Sequence, residues 1–363
     1  MATLEPVDLL SSNSVLSVME LAKNPMTTEI PQNYLCPELA EGPFGLSDGT
    51  ASLPAIDMEK LIFGEATDIE LGKLHSACKA WGFFQLVNHG VSSTLLEKMK
   101  FEIEEFFKLP LEEKMKYKVR PGDVEGYGTI VRCKDQKLDW GDRFYMFINP
   151  LSRRKPHLLP ELPSSLRSTL EAYFKESQKL GMALMGLMGK ALKVDTREME
   201  ELFEDGMQSV RMTYYPPCPQ PQLVVGLTPH SDASGITILH EVNGVEGLQI
   251  KKDGVWIPVH FLPGAFVVNV GDIMEMLSNG AYTSVEHRAV VNSEKERISV
   301  AMFFNPKFEA EIGPSRSVLS AESPPLFRRL GMEEYVKGFF SRNLRGKSNL
   351  ERMRIKVRDG DAV

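Results

Sequence analysis

The apolar positions of the chain fall into two textures. In the first half they recur at helical spacing: Leu71, Leu74, Cys78 and Trp81 step by three and four, which predicts an amphipathic helix ended by Gly82. Leu53-Pro54-Ala55-Ile56-Asp57 and Phe83-Phe84-Gln85-Leu86-Val87-Asn88 read as strands on either side of it, the second closed by His89-Gly90, a turn with a structural role for His89. Thr94 with Glu97 has the form of a capping box opening a helix through Phe107, stopped by Pro110. Residues 118–137, rich in glycine and charge without a period, read as a mobile loop or lid. Ser164 caps a long helix carrying Leu166, Leu170, Phe174, Leu180, Leu184 and Met188 in register.

After Asp205 the texture changes to short apolar runs separated by turn residues, the signature of a sandwich or barrel. Leu248-Gln249-Ile250 and Val255-Trp256-Ile257-Pro258-Val259 alternate around Asp253-Gly254, a hairpin turn pair. Phe266-Val267-Val268-Asn269-Val270 reads as a buried strand, and Met332 to Phe340 as a helix. The segments that follow are an arm (1–50) rich in Ser, Pro and Thr, an α/β region (51–160), connecting helices (161–206), a β-rich core (207–310), and C-terminal helices with a tail (311–363). At about 150 residues per domain the 363-residue length admits two domains, but the pattern favours one β core buttressed by helices.

Charge narrows the partners. There are 49 acidic and 42 basic side chains, and no run of five Lys or Arg, so the concentrated basic surface that nucleic acid requires is absent. A small molecule is the expected partner. Cys36, Cys78, Cys133 and Cys218 are scattered, encoding neither a zinc ribbon nor a disulfide framework. No stretch approaches the roughly 18 apolar residues of a membrane span, and neither end carries a secretory, lipidation or peroxisomal signal. A cytoplasmic monomer that does not engage membranes is the expectation.

The chemistry concentrates in the β-rich half. His230 and Asp232, two apart, point the same way if they share a strand, and both then reach one metal ion. His287, 55 residues beyond Asp232, supplies a second imidazole. Two imidazoles and a carboxylate on one face leave positions open on the other, the ligand type of non-haem Fe(II) oxygenases. Ten residues after His287 stands Arg297-Ile298-Ser299. A guanidinium fork matches a carboxylate, and the hydroxyl adds a further bond, so an acidic co-substrate beside the metal is indicated.

Together with Trp81 to Gly90, Tyr214-Tyr215-Pro216-Pro217-Cys218-Pro219-Gln220-Pro221, Gly271-Asp272 and Ser278-Asn279-Gly280, these motifs carry a resemblance over residues 50 to 345. The sequence resembles the plant 2-oxoglutarate- and Fe(II)-dependent dioxygenases, nearest to their senescence-related and alkaloid O-demethylase-like branch. The resemblance implies a mainly β fold with flanking helices, a double-stranded β-helix (jelly-roll) core of the 2-oxoglutarate/Fe(II) oxygenase type. It also implies Fe(II) held by His230, Asp232 and His287, with 2-oxoglutarate bound by Arg297, Ser299 and Tyr215. Thr213 stands where many relatives have Asn, giving one hydroxyl in place of a carbonyl and an amide. Phe144, Tyr145 and Phe303 are placed near the iron by the same resemblance, and Arg211, four before Tyr215, faces the pocket with them.

The implied reaction consumes O2 and 2-oxoglutarate, releases succinate and CO2, and hydroxylates a C–H bond of an aromatic small molecule of plant specialised metabolism, with ascorbate as reductant. When the carbon is an O-methyl group, the product hemiacetal collapses to a phenol or alcohol and formaldehyde. Two alternatives share the motif: an iron oxidase of the same fold that does not use 2-oxoglutarate, and a catalytically inactive metabolite-binding jelly roll.

Overall fold

The computed structural model describes residues 17–23, 30–40, 52–63, 67–129, 136–342 and 345–355. Parts of the arm, Cys133 with the middle of the expected lid, and the C-terminal tail lie outside these described residues.

Among the described residues two sheets face each other. The larger contains β1 (Ala55–Asp57), β2 (Phe83–Val87), β3 (Gly126–Tyr127), β4 (Asp142–Asn149) and β5 (Gln208–Tyr215). The smaller opens with β6 (Leu227–His230), after which β7 (Ile236–Glu241) returns to the larger. β8 (Leu248–Lys252) and β9 (Val255–Pro258) are in the smaller sheet, and β10 (Phe266–Val270) is in the larger. β11 (His287–Ala289) and β12 (Arg297–Phe304) complete the smaller and larger sheets respectively. The strand orders are β1-β2-β10-β7-β12-β5-β4-β3 and β6-β11-β8-β9. From β5 to β12 the chain crosses between the sheets at each step except the β8–β9 hairpin, so residues close together in sequence reach the space between them from both sides. This is the jelly-roll core.

The apolar pattern accounts for most of these elements. Phe266–Val270 is buried at every position because the strand lies between β2 and β7, with both faces covered. Asp253 and Gly254 take φ of 51° and 82°, the pair of positive values that a two-residue hairpin between β8 and β9 demands. Gly82 has φ of 63°, and a Cβ there would lie 2.1 Å from the Thr283 carbonyl oxygen; glycine thus ends the helix Thr67–Ala80 and admits the neighbouring chain. The helix Met332–Phe340 falls where the sequence placed it.

Both expected side-chain helix caps are corrected. The helix Ser93–Lys108 starts behind Ser92, whose hydroxyl makes no cap bond, and Thr94 lies within its first turn. Ser164 is the first residue of the helix Ser164–Leu192, behind Pro163, which has no donor to lose there. That 29-residue helix packs along Ser93–Lys108, Thr67–Ala80 and β7, supporting the outer face of the larger sheet. The turn residue His89 stacks on Phe266 at 4.1 Å; Val91 N–H donates to its Nδ1, so its Nε2–H donates to the Gly264 carbonyl. One apolar core runs from Met19 through the helices and sheets to Met353.

The segment expected to be a loop over 118–137 contains β3, which pairs with β4, and Tyr127 N–H donates to the Tyr117 carbonyl. Two stretches of the arm pack on the fold as well. Ser17 Oγ and Val18 N both bond the buried Asp142 carboxylate, and Cys36 N–H donates to the Leu223 carbonyl at 2.9 Å.

Candidate metal and co-substrate site

Antiparallel pairing of β6 with β11 sets His230 directly opposite His287, and their rings lie 4.4 Å apart. Asp232 is not on the strand, contrary to the i, i+2 expectation: β6 ends at His230, and Asp232 sits in the irregular segment that follows. Other bonds aim its carboxylate. Thr237 Oγ1 donates to Asp232 Oδ2 at 2.6 Å and Asn269 Nδ2 donates to the same oxygen at 2.8 Å. Asp232 Oδ1 is left 3.4 Å from His230 Nε2 and 3.7 Å from His287 Nε2.

The imidazoles are oriented in the same manner. His230 Nδ1 lies 2.8 Å from the Thr228 carbonyl oxygen and His287 Nδ1 lies 3.1 Å from that of Val285. A carbonyl accepts only, so each Nδ1 carries a proton and donates it there, which turns each Nε2 toward Asp232 Oδ1. The three ligand atoms lie within 4.8 Å of one another, in buried residues. Burial, with His230 adding to it, pushes the His287 imidazole down to about 4 and keeps it neutral. Burial alone would raise the Asp232 carboxyl; interactions with His287 and His230 and the Thr237 hydrogen bond outweigh it and hold the group well below the usual carboxylate range. Two imidazoles and one carboxylate, each fixed through its other polar atom, fit a divalent iron.

The residues expected to bind the co-substrate lie on β5 and β12. β12 pairs with β5, placing Arg297 opposite Tyr215 and Ser299 opposite Thr213. Arg297 and Ser299 face one way: Arg297 Nη1 lies 3.5 Å from Ser299 Oγ, and its Cζ sits 5.1 Å from the centre of the Tyr215 ring. Gly247 makes room for the guanidinium, since a Cβ there would come within 2.7 Å of Arg297 Cδ. Thr213 Oγ1 accepts a bond from Arg211 Nε at 3.1 Å, tying that hydroxyl to the neighbouring cation. Arg297 Nη2 is also engaged, 2.7 Å from the Glu241 carboxylate on β7.

A cavity of about 120 Å³ opens beside His230 and Asp232, walled by Tyr145, Phe303 and Phe340. Tyr145 lies 6.5 Å from Phe303 and 6.1 Å from Phe340, ring centre to ring centre. Arg211 borders this cavity and a wider outer cleft of about 720 Å³. Phe144 is corrected: it points away from the cavity into the core, stacked on Phe106 at 5.3 Å. The reason is strand alternation, because neighbours on β4 face opposite sides and Tyr145 takes the inner one.

Thr237, Asn269, Glu241 and Phe340 were not singled out by sequence. Asn269 carried a usable signal, a lone amide in the apolar run Phe266–Val270. The others became visible only through strand pairing and the docking of the helix Met332–Phe340 over the cavity.

Comparison with known proteins supports the same assignment. Residues 206–306 match the 2OG-Fe(II) oxygenase superfamily, and residues 53–162 the N-terminal domain of non-haem dioxygenases in morphine synthesis. The chain is 50% identical to oxoglutarate-dependent flavonoid 7-O-demethylase 1 of Ocimum basilicum, over 95% of this chain and 92% of that protein. It is 51% identical to thebaine 6-O-demethylase of Papaver somniferum, over 93% and 96% respectively. The crystal structure of JOX2 in complex with 2OG, Fe and JA superposes with a TM-score of 0.86 at 35% identity, covering 95% of this chain and 99% of that one. No helix among the described residues is long and apolar enough to cross a membrane. The chain belongs to the 2OG-Fe(II) oxygenase family and is a 2-oxoglutarate-dependent dioxygenase, an oxidoreductase that uses iron and 2-oxoglutarate.

Proposed function

We propose that the protein removes O-methyl groups from, or hydroxylates, an aromatic small molecule of plant specialised metabolism. The observation that carries this reading is the aromatic cavity of Tyr145, Phe303 and Phe340 opening onto His230 and Asp232. Identities near 50% to demethylases of flavonoids, codeine and thebaine support the O-methyl branch.

In this reading His230, Asp232 and His287 hold the iron, which when bound supplies the redox chemistry that couples O2 and 2-oxoglutarate to oxidation of a substrate C–H bond. Arg297 anchors the distal carboxylate of 2-oxoglutarate, assisted by Ser299, Tyr215 and Thr213. The aromatic walls stack on the substrate ring and exclude water, and Arg211 donates to an oxygen on its edge. An O-methyl carbon held beside the metal residues becomes a hemiacetal once hydroxylated and leaves as formaldehyde. The acidic balance and dispersed cysteines support a cytoplasmic monomer acting without nucleic-acid or membrane partners.

The test is a panel of methoxylated flavonoids, codeine and thebaine, assayed with Fe(II), 2-oxoglutarate and ascorbate. Formaldehyde equal to succinate is the expected result. Succinate with a ring- or chain-hydroxylated product and no formaldehyde selects hydroxylation. Turnover confined to non-aromatic acids would overturn the aromatic assignment.

A further inference from the structure

The partner of Arg297 is unusual for a residue meant to receive a carboxylate. Glu241 closes β7 on the same face as Thr237 and Leu239, so it points between the sheets. Its side chain is 4% exposed, and its ion contact among the described residues is the 2.7 Å approach of Arg297 Nη2. Arg297, 3% exposed, also has an Nε without a hydrogen-bond acceptor. The pair is neutral, and both members retain unused hydrogen-bonding capacity.

A second carboxylate brought to Arg297 would leave one cation between two anions in a buried site. An uncompensated buried charge is strongly destabilising. One proton added to Glu241 removes that charge. We infer that Glu241 is the resident counter-ion of Arg297, and that it takes up a proton from solvent when the distal carboxylate of 2-oxoglutarate binds. The inference rests on reading Arg297 as the co-substrate anchor.

The surroundings suit this exchange. A surface cleft of about 290 Å³ reaches Glu241, giving the proton a route from solvent. Burial, only partly offset by Arg297, pushes the Glu241 carboxyl up to about 7, so one proton changes hands near neutral pH. The other charged or titratable groups around it are few. Glu246, beyond the end of β7, raises Glu241 further and is itself paired with His260 at 2.9 Å. Glu97 of the helix Ser93–Lys108 lines the cleft, as does His240, which burial pushes down to about 4 and keeps neutral. Tyr215 lies beyond the guanidinium. Since the free carboxylate is ionised above pH 7 and must then be protonated, binding weakens as pH rises.

Anaerobic calorimetry of 2-oxoglutarate binding to the iron-loaded protein tests this between pH 6 and 8.5, in buffers of different ionisation enthalpy. Wild type is expected to take up close to one proton at pH 8, with Kd rising about tenfold per pH unit above 7 and levelling off below. Glu241→Gln is expected to lose that uptake, flatten the profile and bind about tenfold more tightly than wild type at pH 8. Arg297→Lys separates the two layers of the argument. If it binds as tightly as wild type, Arg297 is not the anchor. If it binds weakly while Glu241→Gln keeps the wild-type profile, the anchor stands and the role of Glu241 is overturned. The wild-type proton count needs no variant, and a count near zero at pH 8 overturns the inference directly.

Discussion

The two ends of the site are prepared for their ligands in opposite ways. At the metal end, every polar atom not aimed at the ion has a partner: Thr228 and Val285 hold the imidazoles, and Thr237 and Asn269 hold the carboxylate. The three donor atoms converge within 4.8 Å of one another. At the end proposed for the co-substrate, Arg297 already faces a carboxylate of the chain itself. A fixed set of lone pairs suits an ion that stays bound. A masked cation suits a co-substrate that must enter and leave with each turnover, because the Arg charge is never left bare in a low-dielectric interior.

Removing a donor is the largest perturbation of the contrast. His287→Ala should abolish turnover and iron retention, checked by metal content after gel filtration and by succinate release; full activity would remove His287 from the metal set. Disturbing only the support should cost less. Asn269→Ala leaves Asp232 Oδ2 with Thr237 alone, and iron affinity should fall about 10- to 100-fold in a competition titration. An unchanged affinity would mean that the carboxylate needs no second anchor.

At the other end, Arg297→Lys replaces a planar fork with a point charge. The KM for 2-oxoglutarate should rise about 10-fold or somewhat more, the equivalent of losing one charge-assisted hydrogen bond, while iron binding stays as in wild type. Loss of iron in this variant would show that the two ends are one coupled unit. The smallest effect is expected at the wall: Phe303→Ala should raise the KM for the aromatic substrate by roughly 10-fold and leave both other ligands unaffected.

Much of this was legible in the sequence because it depends on local pattern. The hairpin at Asp253-Gly254, the buried run Phe266–Val270 and the helix Met332–Phe340 are set by turn chemistry and apolar period. The order His230, Asp232, His287, Arg297, Ser299 is also readable there, and each of these residues lies on or beside a core strand. What escaped depends on pairing between distant strands. Glu241 meets Arg297 because the β7–β12 register sets it opposite Ser299. Phe144 was misplaced because the frame of β4 cannot be fixed without its neighbours, and a shift of one residue exchanges the two faces. The placement of Asp232 came from Thr237 and Asn269, neither of which carries metal chemistry by itself.

The most direct measurement is anaerobic absorbance of the purified protein titrated with Fe(II) and then 2-oxoglutarate. The account predicts a weak visible charge-transfer band in wild type, its loss in His287→Ala, and its appearance at higher 2-oxoglutarate concentration in Arg297→Lys. A folded wild-type protein without the band, or a band undiminished in His287→Ala, would contradict the assignment of this site.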